Sequence, residues 1–258
     1  MGTLVVFNNI FPRYRIAFAS NRDERLDRLS ESPGMRDWEH RIFAPKDMER
    51  GGTWNGVNGH GVFAALTNRP SVTSVPDRVS RGELVMRALR HKSAERAFEE
   101  INRLPGSDYN GFYMVVGDKN KMFLLKGDGK VIESTIEGDG ILVVTNHGVG
   151  RVIGGDHSLS VQNVLNVCRN TNITEQEPSV GVLRVVLDIH GDPYFGTCID
   201  DPIYNYGTRS SSIVLLEEGV VRDHWQYIYR ERSRFDPYRP ICKEPFYYLI
   251  RYPIVYEA

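Results

Sequence analysis

Hydrophobic and polar positions run along the chain in two rhythms, a two-residue alternation in short segments and a helical spacing in four longer ones. Residues 3–7 and 15–19 are rich in branched and aromatic side chains and are separated by Asn8-Asn9 and Pro12, which predicts two strands joined by a turn. The stretch 22–50 carries many charges and two prolines and reads as a long surface excursion. Residues 54–57 and 62–67 bracket Asn58-Gly59-His60-Gly61, whose glycines can supply the positive φ of a tight hairpin. Ser80-Arg81-Gly82-Glu83 fits a capping box ahead of Leu84, Val85, Ala88 and Leu89, so a helix is expected from about Arg81. Ser93 can cap a second helix over 94–103, ended by Pro105-Gly106. A meander of strands follows at 112–116, 122–126, 131–134 and 141–145. Helical spacing returns at 158–170 and 179–190, and 213–216 with 220–229 forms a last hairpin around Glu217-Glu218-Gly219. Antiparallel meanders with segregated helix pairs give an α+β protein, two sheets stacked between helical layers.

Composition narrows this picture. The 258 residues, 41% of them hydrophobic, are enough to bury a sizeable core, and they read as one domain over 1–258 with an aromatic tail from about 230. Thirty-two basic against 33 acidic side chains, with no long block of one sign, argue against nucleic acid as a partner. Cys168, Cys198 and Cys242 are an odd number without ligand spacing; they point to a reducing, cytoplasmic location and to no metal site. No apolar run is long enough for a membrane span. Gly2 invites a myristoylation reading, which Val6 opposes, since that signal wants Ser or Thr at the sixth position. The tail crowds Tyr227, Tyr229, Phe235, Tyr238, Phe246 and further tyrosines among arginines, a pattern for rings packed over the core or for the seam of a homo-oligomer.

Four polar clusters sit at strand ends or turns: Asn21-Arg22-Asp23-Glu24, Thr67-Asn68-Arg69-Pro70, Thr145-Asn146-His147-Gly148 and residues 206–212. Each alone has a turn or loop explanation. Their order and wording, "NRDE" at 21–24, "GGTWNG" at 51–56, "AALTN" at 64–68, "RGELV" at 81–85, "YNGF" at 109–112 and "YGTR" at 206–209, resemble the NRDE family of transport and Golgi organisation protein two-like proteins. The resemblance implies a four-layer αββα sandwich of the N-terminal-nucleophile hydrolase type and cleavage of a non-peptide amide bond. In the cysteine enzymes of that fold the initiator Met is removed, and the exposed cysteine attacks with its own α-amine as base.

The resemblance also implies roles for particular residues. Asn21 and Asp23 look like the Asn-x-Asp of bile-salt hydrolase-like enzymes, with Asp23 holding the α-amine. Asn68 and Asn146 resemble the asparagines that steady the tetrahedral intermediate, a task suited to a neutral amide donor. Arg209 resembles a motif arginine able to pair with Asp23 or a substrate carboxylate, and Arg22, Trp54 and His147 are expected to contact ligand. The family usually begins Met-Cys; this chain has Gly2, without a side chain to attack with. An engineered inactivation, a natural pseudoenzyme and a family whose work is binding are the three explanations. No cofactor is required by the hydrolase reading. The alternative is a carrier for haem or an acyl ligand, since relatives are linked to haem trafficking and lipid metabolism, with His147, His157, Tyr204 or Tyr206 as axial ligands by residue type.

Overall fold

The computed structural model describes residues 2–70, 74–151, 158–191 and 195–256. Along the chain run the strands β1 (Gly2–Phe11), β2 (Tyr14–Arg25), β3 (Ser30–Asp37), β4 (Ile42–Asp47), β5 (Asn55–Val57) and β6 (Phe63–Asn68). Helices α1 (Arg81–Leu89) and α2 (Ala94–Asn102) follow, then β7 (Phe112–Gly117), β8 (Met122–Gly127), β9 (Ile132–Glu137), β10 (Gly140–Thr145) and β11 (Gly148–Arg151). The chain continues through α3 (Leu159–Asn170), α4 (Val180–Leu187), β12 (Asp200–Asp201), β13 (Tyr206–Glu217), β14 (His224–Glu231) and β15 (Tyr247–Pro253). These elements gather into two compact units. Among the described residues no helix is long and apolar enough to cross a membrane.

The first unit comprises Met1–Arg28, Asp139–Gly219 and Gln226–Arg251. Its sheet has the order β11-β10-β1-β2-β13-β14-β15, and β1 lies antiparallel to both β2 and β10. One face carries Val5, Phe7, Ala17, Ala19, Val143, Ile213 and Leu215, packed with Val161, Val164 and Leu165 of α3 and Leu183, Val186 and Leu187 of α4. The period-two alternation of the strands meets the helical stripe there, and burial of those side chains is the main driving force of the unit. The tail as far as Arg251 belongs to this unit. Phe246 lies against the same core, with the Arg230 guanidinium 4.4 Å above its ring. Phe235 and Tyr238 are exposed.

The second unit comprises Leu29–Gly138, Val220–Trp225 and Tyr252–Ala258, with the antiparallel order β3-β4-β5-β6-β7-β8-β9. Helices α1 and α2 cover one face through Leu84, Val85, Ala88, Leu89, Ala97 and Ile101. Several of the short motifs hold this unit together. A Cβ on Gly52 would lie 2.6 Å from the carbonyl carbon of Gly82, so the glycines of "GGTWNG" and "RGELV" mark a place where two backbones touch. Arg81 Nη1 donates to the Gly111 carbonyl at 2.8 Å, and the Asn110 amide clamps both the N–H and the carbonyl of Val75. Asn58 closes its hairpin turn by accepting from His60 and Val62 and donating to Leu89 and His91 at the end of α1.

Three expectations change. The stretch 22–50 is no surface excursion: its first residues extend β2, and β3 and β4 follow, with Ile42 and Ala44 fully buried. Charge hides β3 because its Arg36 guanidinium is satisfied by Glu31 and by the Ser32 and Ala44 carbonyls. Residues 206–212 form the start of β13 rather than a loop, and the polar strand is buried because its hydroxyls find partners, Ser211 with Asn21 and Ser212 with Tyr227. Ser80 stands at the N-cap of α1 without a side-chain capping bond, whereas Ser93 accepts from Arg96 N–H at 3.3 Å as a true cap.

Candidate active site

The polar end of the first unit's sheet is set by register. Gly2 stands opposite Arg22 and Thr3 opposite Asn21 across β1 and β2, while Thr3 also faces Thr145 of β10. Beyond β2, Asp23 faces Thr208, and the register shifts between Thr208 and Ser210, leaving Arg209 as the extra residue of a β-bulge. The ends of β1, β2, β10 and β13 therefore bring Gly2, Thr3, Asp23, Asn146 and Tyr206 around one small, polar-lined pocket, with Thr145, His147, Ser160 and Gly196 completing its wall.

Asp23 is the group in this pocket whose charge is brought to change near neutral pH. Burial pushes its carboxyl up to about 6, against the opposing pull of the amino-terminal charge, a Thr208 hydrogen bond and Arg232. Thr208 Oγ1 accepts from the Ile199 N–H at 2.9 Å, which turns its proton to Asp23 Oδ1 at 2.6 Å. A carboxyl that changes charge near neutral pH can take or give a proton there. Asn146 uses its side-chain oxygen to accept the Gly2 N–H, and its Nδ2 is buried with no hydrogen-bond partner. That amide can only donate, so it suits the oxygen of a bound carbonyl. Tyr206 is no phenolate at any ordinary pH, because burial and then Asp23 and Glu24 drive its pKa far upward.

Other expected residues make other contacts or belong to the second unit. Asn21 does not line the pocket. Its amide donates to the Leu187 and Thr197 carbonyls at 2.8 and 2.7 Å and accepts from Ser211, so it ties β2 to the end of α4. Arg209 makes no pair with Asp23; its guanidinium is 1% exposed and unbonded. Asn68 ends β6, facing Phe112, and Trp54 precedes β5; both belong to the second unit. Arg22 is buried beside the bulge, His147 forms part of the pocket wall, Tyr204 is exposed and His157 lies outside the described residues. Buried Cys168 and Cys198 are held protonated, both pushed up to about 12 by burial, so neither replaces the missing thiol. Thr208 and Ser160 were not singled out by sequence; Thr208 sits inside "YGTR", but its partner depends on the β2–β13 register.

Gly2 itself is tightly enclosed. A Cβ built on it would lie 2.3 Å from the backbone oxygen of Asn21, a distance that forces backbone to move. The volume a side chain would need is occupied by the neighbouring strand.

A family profile described as Transport and Golgi organisation 2 matches residues 1–233. The chain belongs to the Transport and Golgi organisation 2 family. The mouse homologue (Mus musculus) of this family is 32% identical over 123 residues, 44% of this chain and 45% of the relative. The bovine homologue (Bos taurus) is 24% identical over 249 residues, 83% and 88% of the two chains, and the human one (Homo sapiens) 32% over 133 residues, 48% and 47%. The matched stretch spans about half the length of the mouse and human relatives. Among solved structures, a mutant conjugated bile acid hydrolase from Clostridium perfringens superposes with a TM-score of 0.56 at 11% identity, over 100% of this chain and 97% of that one. An N-acylethanolamine-hydrolyzing acid amidase orthologue from Caenorhabditis elegans gives 0.55 at 12% identity, covering 83% and 92%. Identities this low speak for the fold alone. The family member described here has the α+β fold of N-terminal-nucleophile hydrolases, a hydrolase-type scaffold.

Proposed function

We propose that this chain uses its hydrolase-type pocket to hold the carbonyl of a small amide or acyl ligand, and that it does not cleave that ligand through a thiol. The observation that carries the reading is the convergence of Gly2, Asp23 and Asn146 on one pocket, with the Asn146 Nδ2 left as an unpaired donor. Asp23, charged or neutral near pH 6, sits beside the place where a nucleophile's amine would be held. The fold shared with structures named a conjugated bile acid hydrolase and an acid amidase is compatible with an amide or acyl ligand.

The test is a pair of variants. Gly2→Ala is expected to melt about 2–10 °C lower than the parent, because the added Cβ displaces the Asn21 carbonyl. Gly2→Cys, with Met loss confirmed by mass spectrometry, carries the same Cβ and is expected to melt lower too; once the end of β1 shifts to seat the side chain, its thiol is expected to be alkylated at least about tenfold faster than a free thiol and to turn over N-acyl amides. A thiol of ordinary reactivity in a folded Gly2→Cys protein sinks the scaffold reading.

The second reading, a carrier of haem or an acyl ligand, rests on His147 in the pocket wall. Haemin titration tests it: a saturable Soret shift lost in His147→Ala is the outcome it requires, and its absence removes haem.

A further inference from the structure

A strand at the end of a sheet turns a row of N–H and C=O groups outward, and native chains guard such edges with proline, charge, irregular pairing or short length. Among the described residues the two sheets end in β11 and β15 and in β3 and β9. Three of these edges are guarded. β3 holds Pro33, which has no N–H, and its register with β4 shifts twice; β9 exposes Glu133, and β11 has only four residues. β15 is different. Its part in the first unit, residues 247–251, reads Tyr-Tyr-Leu-Ile-Arg, with no proline, no acidic side chain and a single cation. Tyr247, Leu249 and Arg251 alternate along the strand and so share one face. Tyr247 is 59% exposed, Leu249 37%, and the Arg251 side chain 51%. Arg251 Nε and Nη2 donate to Glu217 Oε2 at 3.1 and 3.0 Å, bonds in the guanidinium plane that leave its flat faces for a ring.

We propose that the chain forms a two-fold dimer by antiparallel pairing of β15 with β15 of a second copy across residues 247–251, which joins two first-unit sheets into one. The pattern of the strand is complementary to itself. Turned about Leu249, two copies set Leu249 against Leu249 and the Tyr247 ring of each against the Arg251 guanidinium of the other, a cation–π contact at both ends. Parallel pairing in register would instead oppose Arg251 to Arg251. The pairing also closes the unguarded edge. It is independent of what the pocket binds.

The experiment measures the mass of the whole chain in solution by sedimentation velocity over about 1–100 μM. The expected result is a concentration-dependent shift from one chain mass to two. Leu249→Lys, which sets two ammonium groups against each other across the axis, is expected to weaken association at least about tenfold while the circular dichroism stays that of the parent. A cysteine pair reads the register. Under mild oxidation Leu249→Cys is expected to give a covalent dimer, because directly opposed residues stand within disulfide reach, whereas Tyr247→Cys faces Arg251 and is expected not to. The parent, with Cys242 partly exposed, is the control and is expected to stay uncrosslinked. A single chain mass over the whole range overturns the proposal. So does a dimer that folded Leu249→Lys leaves intact, or one that Tyr247→Cys cross-links as readily as Leu249→Cys. If Leu249→Lys fails to fold, the two cysteine variants decide alone.

Discussion

Asp188→Ala is expected to lower the melting temperature by about 6–20 °C, the largest loss from any single change in the first unit. Asp188 follows the last turn of α4, where a negative charge meets the negative end of the helix dipole, so its presence needs a reason. The reason is Arg230, whose guanidinium is fully enclosed and ion-paired to Asp188. Arg184 joins from α4 itself at 2.5 Å, and Arg230 Nε also donates to Ser211 at 3.0 Å. Removing the carboxylate strands a buried cation, a loss of about 3–5 kcal/mol for pairs of this kind. Burial alone would raise the Asp188 pKa, but hydrogen bonds from Arg230 and Arg184 win and lower it. A lowered carboxylate pKa gives stability that is present above the unfolded value near 3.8 and is lost as pH falls through the folded one. The parent should therefore lose this increment only in acid, and Asp188→Ala should lack that acid-side slope. Thermal melts between pH 3 and 7 check both statements. The double variant Asp188→Ala with Arg230→Met should recover most of the loss, because the stranded charge is gone; a single variant within about 1 kcal/mol of the parent would mean that solvent screens the pair.

How much of this was legible in the sequence depends on whether a feature is local. The alternation over residues 3–7 and 15–19 and the apolar stripe of Leu84, Val85, Ala88 and Leu89 report burial directly, so β1, β2 and α1 could be placed. β3 and β4 could not, since Arg36 is neutralised by Glu31 and by carbonyls brought close only when the two strands pair. The same limit applies to the start of β13, where Thr208, Ser211 and Ser212 look like a loop until Asp23, Asn21 and Tyr227 satisfy them. In the site, Asp23 was nameable from the order of motifs, and so was the absent side chain at Gly2. Its contact with the Asn21 carbonyl was not, because strand spacing is set by the sheet. Arg209 was nameable too, but its isolation follows from a one-residue bulge that no periodicity displays.

Asp23→Asn is expected to stabilise the protein at pH 7 by about 3 kcal/mol, raising its melting temperature by about 6–12 °C. The carboxyl is enclosed, and burial lifts its folded pKa to about 6 from an ordinary 3.8. The folded state therefore holds a proton that the unfolded chain has already released between those values. Stability falls as pH rises from about 4 to about 6, and above that range the deficit stays constant. An amide in the same place still accepts the Thr208 hydroxyl, carries no charge to desolvate and removes the slope. The two proteins should melt together near pH 3 and diverge by pH 7. The opposite result, a variant less stable than the parent at pH 7, would mean that the amino-terminal charge and Arg232 hold the carboxylate more strongly than burial opposes it. On the function proposed above, a residue that costs the fold stability at neutral pH serves through its charge, and the groups facing the same pocket, the Gly2 N–H bound to Asn146 and the free Asn146 amide, would hold a ligand's carbonyl beside it.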